Sequence, residues 1–449
     1  MNRRHFLRMS LAASLSGLLM GHVSHTRRRQ GIKGLIIGAG IAGITAARAL
    51  QNAGFDITVL EARERIGGRI WTNRSLGIPV DLGASWIQGV NNNPITELTN
   101  AFGIETFRTN FDAIDVYRPD GSRASNAELS QLENEFEEFL ELAEELAEAL
   151  DDDISIGRAV RIITEGEPVS PAQRWALATL IELDYAASID DLSLFYVDSG
   201  DDFGGDSRLF PGGYDQIVDE LAKGLDIRLN QPVRLIEYGD FGVRVTTDSD
   251  VFEGEGALIT LPLGVLKSRR VTFAPPLPDF KQAAINRLQM GRLNKVALRF
   301  PQQFWPNDPH FISYISQRAG EFPQFMNARR FSNANLLIGF VAGRFSAALE
   351  DMPDEQVAAQ AMQVLRTIFD NTIPDPDGVL VSRWGQDPFA GGSYAFIPVG
   401  ATPRDLDALA EPVNETLFFA GEATNRRFAA TVHGAYLSGL REAERIIAL

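Results

Sequence analysis

Gly34-Leu35-Ile36-Ile37-Gly38-Ala39-Gly40-Ile41-Ala42-Gly43 is the stretch of this sequence that decides the fold. Three glycines, Gly38, Gly40 and Gly43, follow a short apolar strand at the spacing that allows a tight turn and lets a pyrophosphate approach the backbone. The helix that begins near Ile41 points its free N–H groups at such a phosphate. The stretch therefore predicts the first half of a dinucleotide-binding βαβ unit.

A second strand and an acidic residue complete this unit. The apolar run Ile57-Thr58-Val59-Leu60 ends at Glu61, which lies 23 residues after Gly38. A carboxylate at that place can accept hydrogen bonds from both ribose hydroxyls, so it disfavours a 2′-phosphate and hence NADP. Glycine-rich turns alone are common, but strand, helix, strand and acid in this order predict FAD or NAD.

Length and composition bound the remaining possibilities. A chain of 449 residues, 45% of them apolar, is too long for one hydrophobic core and predicts two domains. The net charge of −17 repels nucleic acid and favours cationic ligands such as amines. The sequence has no cysteine, which excludes disulfides, Cys-ligated zinc, iron–sulfur clusters and a cysteinyl bond to a flavin. It has five histidines, three of them before residue 30, so we expect no metal site.

The first 30 residues have the features of an export signal. Asn2-Arg3-Arg4-His5-Phe6-Leu7-Arg8 precedes a mildly apolar run from Met9 to Met20, which is the layout of a twin-arginine leader. That route carries folded, cofactor-loaded proteins and predicts a periplasmic or other extracytoplasmic location. No clean Ala-x-Ala site follows, so an uncleaved anchor and a disordered basic tail stay open as alternatives. The rest of the chain has no uninterrupted apolar run of the roughly 18 residues that a membrane span needs, so we expect none in the mature protein.

Helical and strand-like segments alternate along the chain. Residues 126–150 carry apolar side chains at three- and four-residue spacing among glutamates, which predicts an amphipathic helix. Strand-like alternation returns at 233–247, after the turn Phe210-Pro211-Gly212-Gly213-Tyr214. A second helical insert at 354–369 precedes a final segment rich in glycine and aromatic residues. This order predicts two discontinuous domains, each of them visited more than once.

Five ordered motifs resemble those of the flavin-containing amine oxidases over nearly the whole chain, and most closely those of the polyamine oxidase branch. They are the N-terminal stretch with its continuation Glu61-Ala62-Arg63-Glu64-Arg65-Ile66-Gly67-Gly68-Arg69; Gly83-Ala84-Ser85-Trp86-Ile87-Gln88-Gly89; Thr260-Leu261-Pro262-Leu263-Gly264-Val265-Leu266-Lys267; Leu293-Asn294-Lys295-Val296 with Phe304-Trp305-Pro306; and the C-terminal pair that begins at Trp384 and Phe419. NAD dehydrogenases lack the 61–69 continuation. The resemblance therefore favours FAD, and without cysteine the cofactor is expected to be non-covalent.

The resemblance also implies the architecture. It is an α/β protein, with a FAD-binding Rossmann-like domain and a discontinuous second α+β substrate domain, whose mixed sheet is flanked by helices. After a leader at 1–30, we expect the FAD-binding domain at 31–90, 205–270 and 375–449, and the substrate-binding domain at 91–204 and 271–374. The active site is expected between the two domains.

Residues that match the FAD-contacting positions of the family form the implied cofactor-binding set. Glu422 falls where a carboxylate meets a ribityl or phosphate hydroxyl. Thr431-Val432 falls against the flavin ring, with a backbone N–H near its C2 oxygen that would stabilise negative charge. The full implied set is Gly38, Gly40, Gly43, Glu61, Arg63, Gly68, Arg69, Gly83, Ala84, Ser85, Trp86, Val233, Trp384, Glu422, Thr431 and Val432.

Four residues form the implied catalytic set. Tyr394 and Phe428 match positions where two rings flank the substrate amine, exclude water and orient the C–N bond. Lys295 matches a lysine that holds a water against flavin N5 and takes part in reoxidation; a lysine that snorkels from a strand edge is the alternative. Gln88 departs from the His or Glu common in polyamine oxidases. It can hydrogen-bond but carries no charge, which bears on chain-length preference and on polyamine specificity itself.

The activity that the resemblance implies is oxidation of a primary or secondary amine, with a polyamine as the expected substrate. A hydride passes from the α-carbon to flavin N5, the imine hydrolyses to an aldehyde and an amine, and oxygen is reduced to hydrogen peroxide. Glu182 and Asp184 are further candidate contacts of the amine. An L-amino-acid oxidase, an amine dehydrogenase with another electron acceptor, and a non-catalytic flavin-binding protein stay open as alternatives.

Overall fold

The N-terminal glycine stretch joins a strand to a helix, as its pattern predicts. In the computed structural model, which describes residues 31–449, β1 (Lys33–Ile37) leads into α1 (Ile41–Asn52), and β2 (Asp56–Leu60) follows. Ile36, Ile37 and Ala46 are at most 1% exposed. This unit therefore lies at the centre of a hydrophobic core.

Strands outnumber helices in the rest of the described chain. The other strands are β3 (Thr72–Asn73), β4 (Val80–Asp81), β5 (Trp86–Ile87), β6 (Phe107–Thr109), β7 (Ile114–Tyr117), β8 (Ser207–Leu209), β9 (Asp226–Arg228), β10 (Val233–Gly239), β11 (Gly242–Thr247), β12 (Val251–Gly254), β13 (Gly256–Ile259), β14 (Thr272–Ala274), β15 (Gln289–Met290), β16 (Leu293–Arg299), β17 (Phe311–Tyr314), β18 (Gln324–Asn327), β19 (Leu336–Ala342), β20 (Gly378–Val381), β21 (Ala395–Phe396) and β22 (Leu417–Phe419). The other helices are α2 (Pro94–Phe102), α3 (Asn126–Ala149), α4 (Ile156–Ile163), α5 (Pro171–Leu177), α6 (Leu183–Tyr185), α7 (Asp215–Ala222), α8 (Leu263–Ser268), α9 (Asp279–Arg287), α10 (Gly343–Glu350), α11 (Asp354–Phe369), α12 (Pro403–Ala410) and α13 (Val432–Ala448).

A five-stranded parallel sheet forms the first layer, in the order β22-β13-β1-β2-β9. Strands from three distant parts of the chain meet in this sheet, because β13 and β22 add beside β1 on the side away from β2. Helix α1 packs against the C-terminal helix α13. The carboxyl ends of the parallel strands share one edge, which is where open α/β sheets bind their ligands.

A smaller antiparallel sheet accompanies this layer. Strands β10, β11 and β12 pair as consecutive hairpins, and β14 joins β10 in parallel. The alternation predicted over 233–247 is therefore real, since Ile236, Tyr238, Val243 and Val245 are buried while Arg234 and Arg244 are exposed.

A six-stranded mixed sheet forms the second unit, in the order β20-β16-β19-β18-β17-β7. Its neighbours are antiparallel except for β17 and β7. All seven residues of β19 are buried, because one face of the sheet packs on α11 and the other faces the segments around Leu82 and Leu209. This sheet supplies the far wall of the candidate site.

A helical layer lies beside the mixed sheet. Helix α3 begins with a capping box, in which Ser125 and Glu128 exchange hydrogen bonds, and it buries Leu132 and Phe136 against α4 and α5. A π-helical turn, Ala178–Glu182, separates α5 from α6. Within residues 31–449, no helix combines the length and the apolar character that a bilayer crossing requires.

The structure places three segments across the expected domain boundaries. Strand β20 falls after residue 375 but pairs with β16 of the mixed sheet. Strand β14 falls after residue 271 but pairs with β10. Helix α2 packs against α7 and α13, with Ile95 in the core of the parallel sheet. In each case backbone pairing or side-chain burial assigns the segment to the other unit, and the order of segments along the sequence does not reveal this.

Candidate active site

An elongated cavity of about 440 Å³ runs from the edge of the parallel sheet to the mixed sheet. Such a volume is typical of cofactor and ligand clefts. Most of the site residues predicted from sequence line it: Gly38, Gly40, Glu61, Arg63, Gly68, Arg69, Gly83, Ala84, Ser85, Trp86, Gln88, Val233, Lys295, Trp384, Tyr394, Glu422, Thr431 and Val432. The fold thus brings together residues that are up to 394 positions apart in the sequence.

The glycines of the first turn have two different roles. A Cβ atom added to Gly40 would meet no heavy atom within 4 Å, so this glycine borders open space in the cavity. A Cβ added to Gly43 would lie 2.0 Å from the carbonyl oxygen of Gly38, and Gly43 is not among the lining residues. Gly43 therefore serves the close packing of helix on strand, whereas Gly40 leaves room for a ligand.

The start of α1 provides hydrogen-bond donors at the same place. Gly40 is the N-cap and offers no side-chain cap, and Ile41 and Ala42 line the cavity. The first N–H groups of a helix have no intrahelical partner, and the helix dipole adds positive charge there. This end of the cavity is therefore suited to a phosphate.

The carboxylate of Glu61 is buried beside this turn. One oxygen accepts a hydrogen bond from the Ala39 N–H at 2.8 Å, and the other accepts one from the Arg63 N–H at 2.9 Å. Each carboxylate oxygen can accept a further bond, so both remain able to bind ribose hydroxyls. The backbone thereby fixes the carboxylate in the orientation that a ribose needs.

Carboxylates hold the two arginines of the 61–69 segment that were predicted to contact the cofactor. Arg63 makes a bidentate pair with Asp387, at 2.8 and 2.9 Å. Arg69 lies 2.7 Å from Glu422 and also donates to the Ser393 carbonyl at 3.0 Å. Both pairs join the N-terminal segment to the C-terminal one, so they fix two walls of the cavity relative to each other.

Helix α13 begins at the other side of the cavity. Thr431 caps it, since its hydroxyl accepts a hydrogen bond from the Gly434 N–H at 2.9 Å. Thr431 and Val432 line the cavity, and the free N–H groups of this first turn add positive potential. This is the environment that the sequence resemblance implied for the carbonyl end of a flavin ring.

Lys295 is 2% exposed and lies on β16 with its side chain directed at the 81–85 segment. Its Nζ donates to the carbonyl oxygens of Asp81 at 2.8 Å and of Gly83 at 2.5 Å, and to Oγ of Ser85. The rings of Trp86 and Phe340 have their centroids 5.7 and 5.8 Å from Nζ. The alternative of a lysine snorkelling from a strand edge is therefore wrong, because the ammonium is buried and fully hydrogen-bonded.

The charge of Lys295 is balanced by the carboxylate of Asp81 without direct contact. Burial lowers the pKa of Lys295, and the negative charge of Asp81 opposes this shift. Burial raises the pKa of Asp81, which accepts hydrogen bonds from the Thr72 hydroxyl at 2.5 Å and the Tyr214 N–H at 3.1 Å. Burial therefore disfavours the charged form of each group, while the attraction between the two charges partly offsets this effect.

Trp384, in the C-terminal part of the chain, also holds the 81–85 segment. Its indole N–H donates to the Leu82 carbonyl at 3.0 Å, and its ring meets Trp71 edge to face at 6.1 Å. The backbone N–H of Trp384 donates to Oδ1 of Asn294 at 3.0 Å. The segment that carries Ser85 is therefore held between β16 and the C-terminal part of the chain.

Tyr394 lines the cavity, and its position is fixed at the hydroxyl. The O–H donates to the Leu183 carbonyl at 2.9 Å, just after the π-helical turn. A helix end leaves such carbonyls without intrahelical partners, and π-helical turns recur at functional sites. The turn therefore orients Tyr394 and brings Asp184 to the cavity wall.

Phe428 does not line the cavity, so the prediction that it flanks the substrate together with Tyr394 is wrong. Its ring stacks on Phe203 at 4.7 Å with an interplanar angle of 12°, and Phe203 lines the cavity whereas Phe428 does not. The segment before Phe203 is tied down by Asp201, which pairs with Arg427 at 2.6 Å. Phe428 therefore supports a cavity wall from behind, and Phe203 presents the ring.

Glu182 is also not a ligand contact. Its carboxylate is half-buried within the helical layer and accepts a hydrogen bond from the Ile189 N–H at 3.1 Å, and desolvation raises its pKa. Asp184, the second candidate, does line the cavity, as does Asp202. Gln88 lines it as predicted, with its backbone carbonyl accepting from Asn93 at 3.1 Å.

Several lining residues were not identified from sequence. Among them are Phe111, Leu183, Asp202, Phe203, Phe311, Gln324 and Phe340. The aromatic residues lie on apolar strands or loops, where core packing is the usual explanation, so the sequence carries no signal that separates them from core. Asp202 is one of two adjacent aspartates before Phe203, and this acidic-aromatic run is the single cue that was available.

Comparison with known proteins identifies the family. The family model "Flavin containing amine oxidoreductase" matches residues 41–447. The chain belongs to the flavin-containing amine oxidoreductases. FAD is accordingly the cofactor, and three features of the cavity fit it: open space at Gly40, the anchored carboxylate of Glu61, and two helix N-termini that face the same space.

Relatives of this amine oxidoreductase carry three different names. It is 38% identical to Protein FLOWERING LOCUS D of Arabidopsis thaliana, over 91% of the chain and 54% of that protein. It is 36% identical to Lysine-specific histone demethylase 1 homolog 1 of Oryza sativa subsp. japonica, over 92% and 52%, and 36% identical to Polyamine oxidase 4 of the same rice, over 91% and 87%. The chain thus spans about half the length of the first two of these relatives.

A solved structure confirms the fold of the oxidoreductase. Wild-type putrescine oxidase bound to putrescine superposes with a TM-score of 0.76, at 22% identity, over 93% of this chain and 99% of the other. The predicted fold class, an α/β FAD-binding domain with a second α+β unit, is therefore confirmed.

Proposed function

We propose that this protein oxidises a cationic amine without a carboxylate, with a diamine or polyamine as the best substrate, and passes the electrons to oxygen. FAD, when bound, supplies the two-electron acceptor for the C–N bond and returns the electrons to oxygen as hydrogen peroxide. The protein residues bind and orient the amine, exclude water and manage protons.

The charges at the far end of the cavity carry this proposal. Segments 91–204 and 271–374 contribute three charged lining residues, Asp184, Asp202 and Lys295. The carboxylate of Asp81 opposes the charge of Lys295, and the N–H groups of Lys295 are engaged by protein acceptors, so acidic side chains outnumber the one basic side chain among these lining residues. An L-amino acid would need a cation for its carboxylate, and these segments offer no arginine among the described lining residues.

The arginines that line the cavity all come from the segments expected to form the FAD-binding domain, and they are Arg63, Arg69, Arg234 and Arg270. Arg63 and Arg69 are paired with Asp387 and Glu422. Arg234 pairs with Asp248 at 2.7 Å. This distribution favours an amine over an amino acid, and it leaves Gln88 as a neutral hydrogen-bonding group on the substrate side.

The aromatic walls would exclude water from the reacting amine. Tyr394, Phe203 and Phe340 line the same end of the cavity, and the Tyr394 hydroxyl is fixed by Leu183. Because the hydroxyl is engaged, the ring offers its face or edge to the substrate rather than a free donor. Such a wall orients the C–N bond and lowers the local dielectric.

Anaerobic mixing of the holoenzyme with a panel of amines tests the proposal. Spermine, spermidine and putrescine are expected to bleach the long-wavelength flavin band, with simple monoamines slower and L-amino acids inactive. Bleaching by amino acids alone, or by no amine at all, would contradict it. Admission of oxygen should then restore the band with stoichiometric hydrogen peroxide; recovery with an artificial dye but not with oxygen would indicate a dehydrogenase.

Two aspartate variants test the recognition of the second charge. Asp184→Asn and Asp202→Asn are each expected to raise KM for putrescine about tenfold, equivalent to roughly 1.4 kcal/mol, and to change KM for a monoamine much less. Asp206→Asn is the matched control, because this aspartate pairs with Arg108 and lies outside the cavity lining. Equal changes for both substrates would argue against recognition of a distal ammonium.

A methylated lysine side chain is the second candidate substrate. The support is the identity of 36–38% to plant proteins named as lysine-specific histone demethylase 1 homologues. A peptide with monomethyl-lysine belongs in the same anaerobic panel. Faster bleaching by the peptide than by any free polyamine would favour this candidate over the first.

Export through the twin-arginine route is a separate proposal that rests on sequence. Arg3 and Arg4 lie outside the residues that the structure describes. Replacement of both by lysine should hold the protein inside the cytoplasm of a bacterial host, as fractionation with a periplasmic marker would show. Unchanged export of this variant would contradict the route.

A further inference from the structure

Of the three groups that accept hydrogen bonds from Lys295, one is a hydroxyl. An ammonium has three N–H donors, and Nζ directs them to the carbonyl oxygens of Asp81 and Gly83 and to Oγ of Ser85. A carbonyl oxygen can accept a hydrogen bond but has no proton to pass on. Ser85 is therefore the partner of Lys295 in this set that can both receive and release a proton.

Ser85 also faces the cavity. It is 4% exposed overall, yet it lines the cavity between Ala84 and Trp86. Its own hydroxyl lies 3.5 Å from the Asp81 carbonyl, which is longer than an effective O–H···O bond. Since its oxygen accepts from Nζ, its proton is available to an acceptor in the cavity.

We propose that Ser85 relays a proton from Lys295 to reduced oxygen in the cavity during the oxidative half-reaction. In this step an Nζ–H bond of the ammonium breaks and Oγ gains that proton, while the original Oγ–H proton passes to the oxygen species. Lys295 becomes a neutral amine and regains its proton by the reverse path, through Ser85, from water that enters the cavity after hydrogen peroxide leaves. No electrons move in the relay; the two electrons that convert oxygen to hydrogen peroxide come from the reduced cofactor.

The surroundings of Lys295 support this step. Burial among the rings of Trp86 and Phe340 favours the neutral amine, while the negative charge of Asp81 favours the ammonium. Asp81 is held by Thr72 and by the backbone of Tyr214, so this attraction acts from a fixed distance. The inference rests on the proposed oxidase function, because only reoxidation by oxygen consumes protons at this place.

Rapid mixing of photoreduced holoenzyme with oxygen separates the relay from a structural role. Ser85→Ala should slow reoxidation at least about tenfold more than it slows anaerobic reduction by the amine, since general acid catalysis is typically worth about a hundredfold or more. Ser85→Cys keeps the shape with a poor acceptor and should also slow reoxidation. Ser346→Ala, a buried serine on α10 that lies outside the cavity lining, controls for the loss of a buried hydroxyl.

Two further measurements make the assignment specific. The double variant Ser85→Ala/Lys295→Met should reoxidise no more slowly than Lys295→Met alone, because two residues of one relay are not additive. The pH titration of the oxidised flavin spectrum should show a midpoint in wild type that shifts to lower pH in Ser85→Ala, since the ammonium loses an acceptor.

The outcomes distinguish the relay from the oxidase function beneath it. Fast wild-type reoxidation with Ser85→Ala and Ser85→Cys both equal to wild type would overturn the relay and leave the oxidase intact. Additive losses in the double variant would also overturn it. Slow wild-type reoxidation, despite rapid reduction by amines, would overturn the oxidase function and the relay together.

Discussion

Arg69 and Glu422 lie 353 residues apart in the sequence, yet their side chains form an ion pair of 2.7 Å across the cavity edge. Glu422 is the better buried partner, at 7% side-chain exposure against 21% for Arg69. Its second oxygen accepts from the Ala395 N–H at 3.2 Å. One carboxylate thereby links the segment after β2 to both C-terminal motifs.

Glu422→Leu is expected to weaken FAD binding by roughly tenfold to a hundredfold. The reason is that Arg69 and the Ala395 N–H each lose a charged acceptor, and hydrogen bonds to charged groups contribute about 1.5–3 kcal/mol. Isothermal titration of FAD into the apoprotein measures the effect. Asp377→Asn is the matched control, because it breaks the more exposed pair with Arg299. A Glu422→Leu affinity equal to that of the control would contradict the linking role.

Gly40 and Gly43 are expected to fail in different ways when replaced by alanine. Gly40→Ala has space for its Cβ and an ordinary φ of −76°, so the apoprotein should melt within a few degrees of wild type. The methyl group intrudes on the cavity, however, and FAD affinity should fall at least about tenfold. Gly43→Ala instead drives Cβ against the Gly38 carbonyl, and overpacking of this kind costs about 1–3 kcal/mol of folding stability.

Thermal melts of the apoprotein and FAD titrations on both variants check this contrast. The expected pattern is a stable fold with weak binding for Gly40→Ala, and an unstable fold for Gly43→Ala. Identical losses of stability in the two variants would contradict the assignment of Gly40 to ligand binding and of Gly43 to helix packing.

Local sequence patterns determined the cofactor end of the site. The strand, turn and helix around Gly38 to Gly43 and the acid at Glu61 follow from short-range geometry, so their roles can be read without a fold. The resemblance of Gly83-Ala84-Ser85-Trp86 and Thr431-Val432 to family motifs extended this to the far end of the cavity. Each of these features is specified within about ten residues of chain.

Features that depend on long-range packing could not be predicted in the same way. Phe428 precedes the helix that borders the cavity, but Phe203 covers it because Asp201 pairs with Arg427 across 226 positions. Strand β20 joins the mixed sheet through its pairing with β16. Nothing in the sequence near either residue or strand specifies its partner, and the three-dimensional partner decides the role.

The burial of Lys281 predicts that the free energy of unfolding of this protein rises with pH above neutrality. The side chain is 0% exposed, with Nζ donating to the carbonyl of Leu409 at 2.8 Å and lying 3.8 Å from the centre of the Phe419 ring. Burial lowers its pKa to about 7; Glu411 and Glu442 oppose this shift, and Arg441 adds to it. Between this value and about 10.5, the ordinary pKa, the unfolded chain binds a proton that the folded one does not, so the free energy of unfolding increases with pH.

Lys281→Met should remove this contribution. Denaturant unfolding of wild type and variant at pH 7, 8.5 and 10 is expected to show a difference in stability that shifts in favour of wild type as the pH rises. Lys223→Met, at a side chain 69% exposed, controls for the loss of one positive charge. Parallel pH profiles for wild type and Lys281→Met would contradict the assignment.

Phe203 and Phe428 stack on each other, but we expect substitution of Phe203 to affect mainly substrate binding and substitution of Phe428 to affect mainly stability. Phe203→Leu changes a ring that lines the cavity, so KM for the amine is expected to rise severalfold, with FAD affinity unchanged. Phe428→Leu removes the supporting ring, which is 8% exposed, and should lower the free energy of unfolding by about 1 kcal/mol or more. Its own effect on KM should be smaller than that of Phe203→Leu, because the cavity surface stays aromatic. Steady-state kinetics and denaturant unfolding of both variants test these two expectations. A larger increase in KM for Phe428→Leu than for Phe203→Leu would indicate that Phe428 itself contacts the substrate.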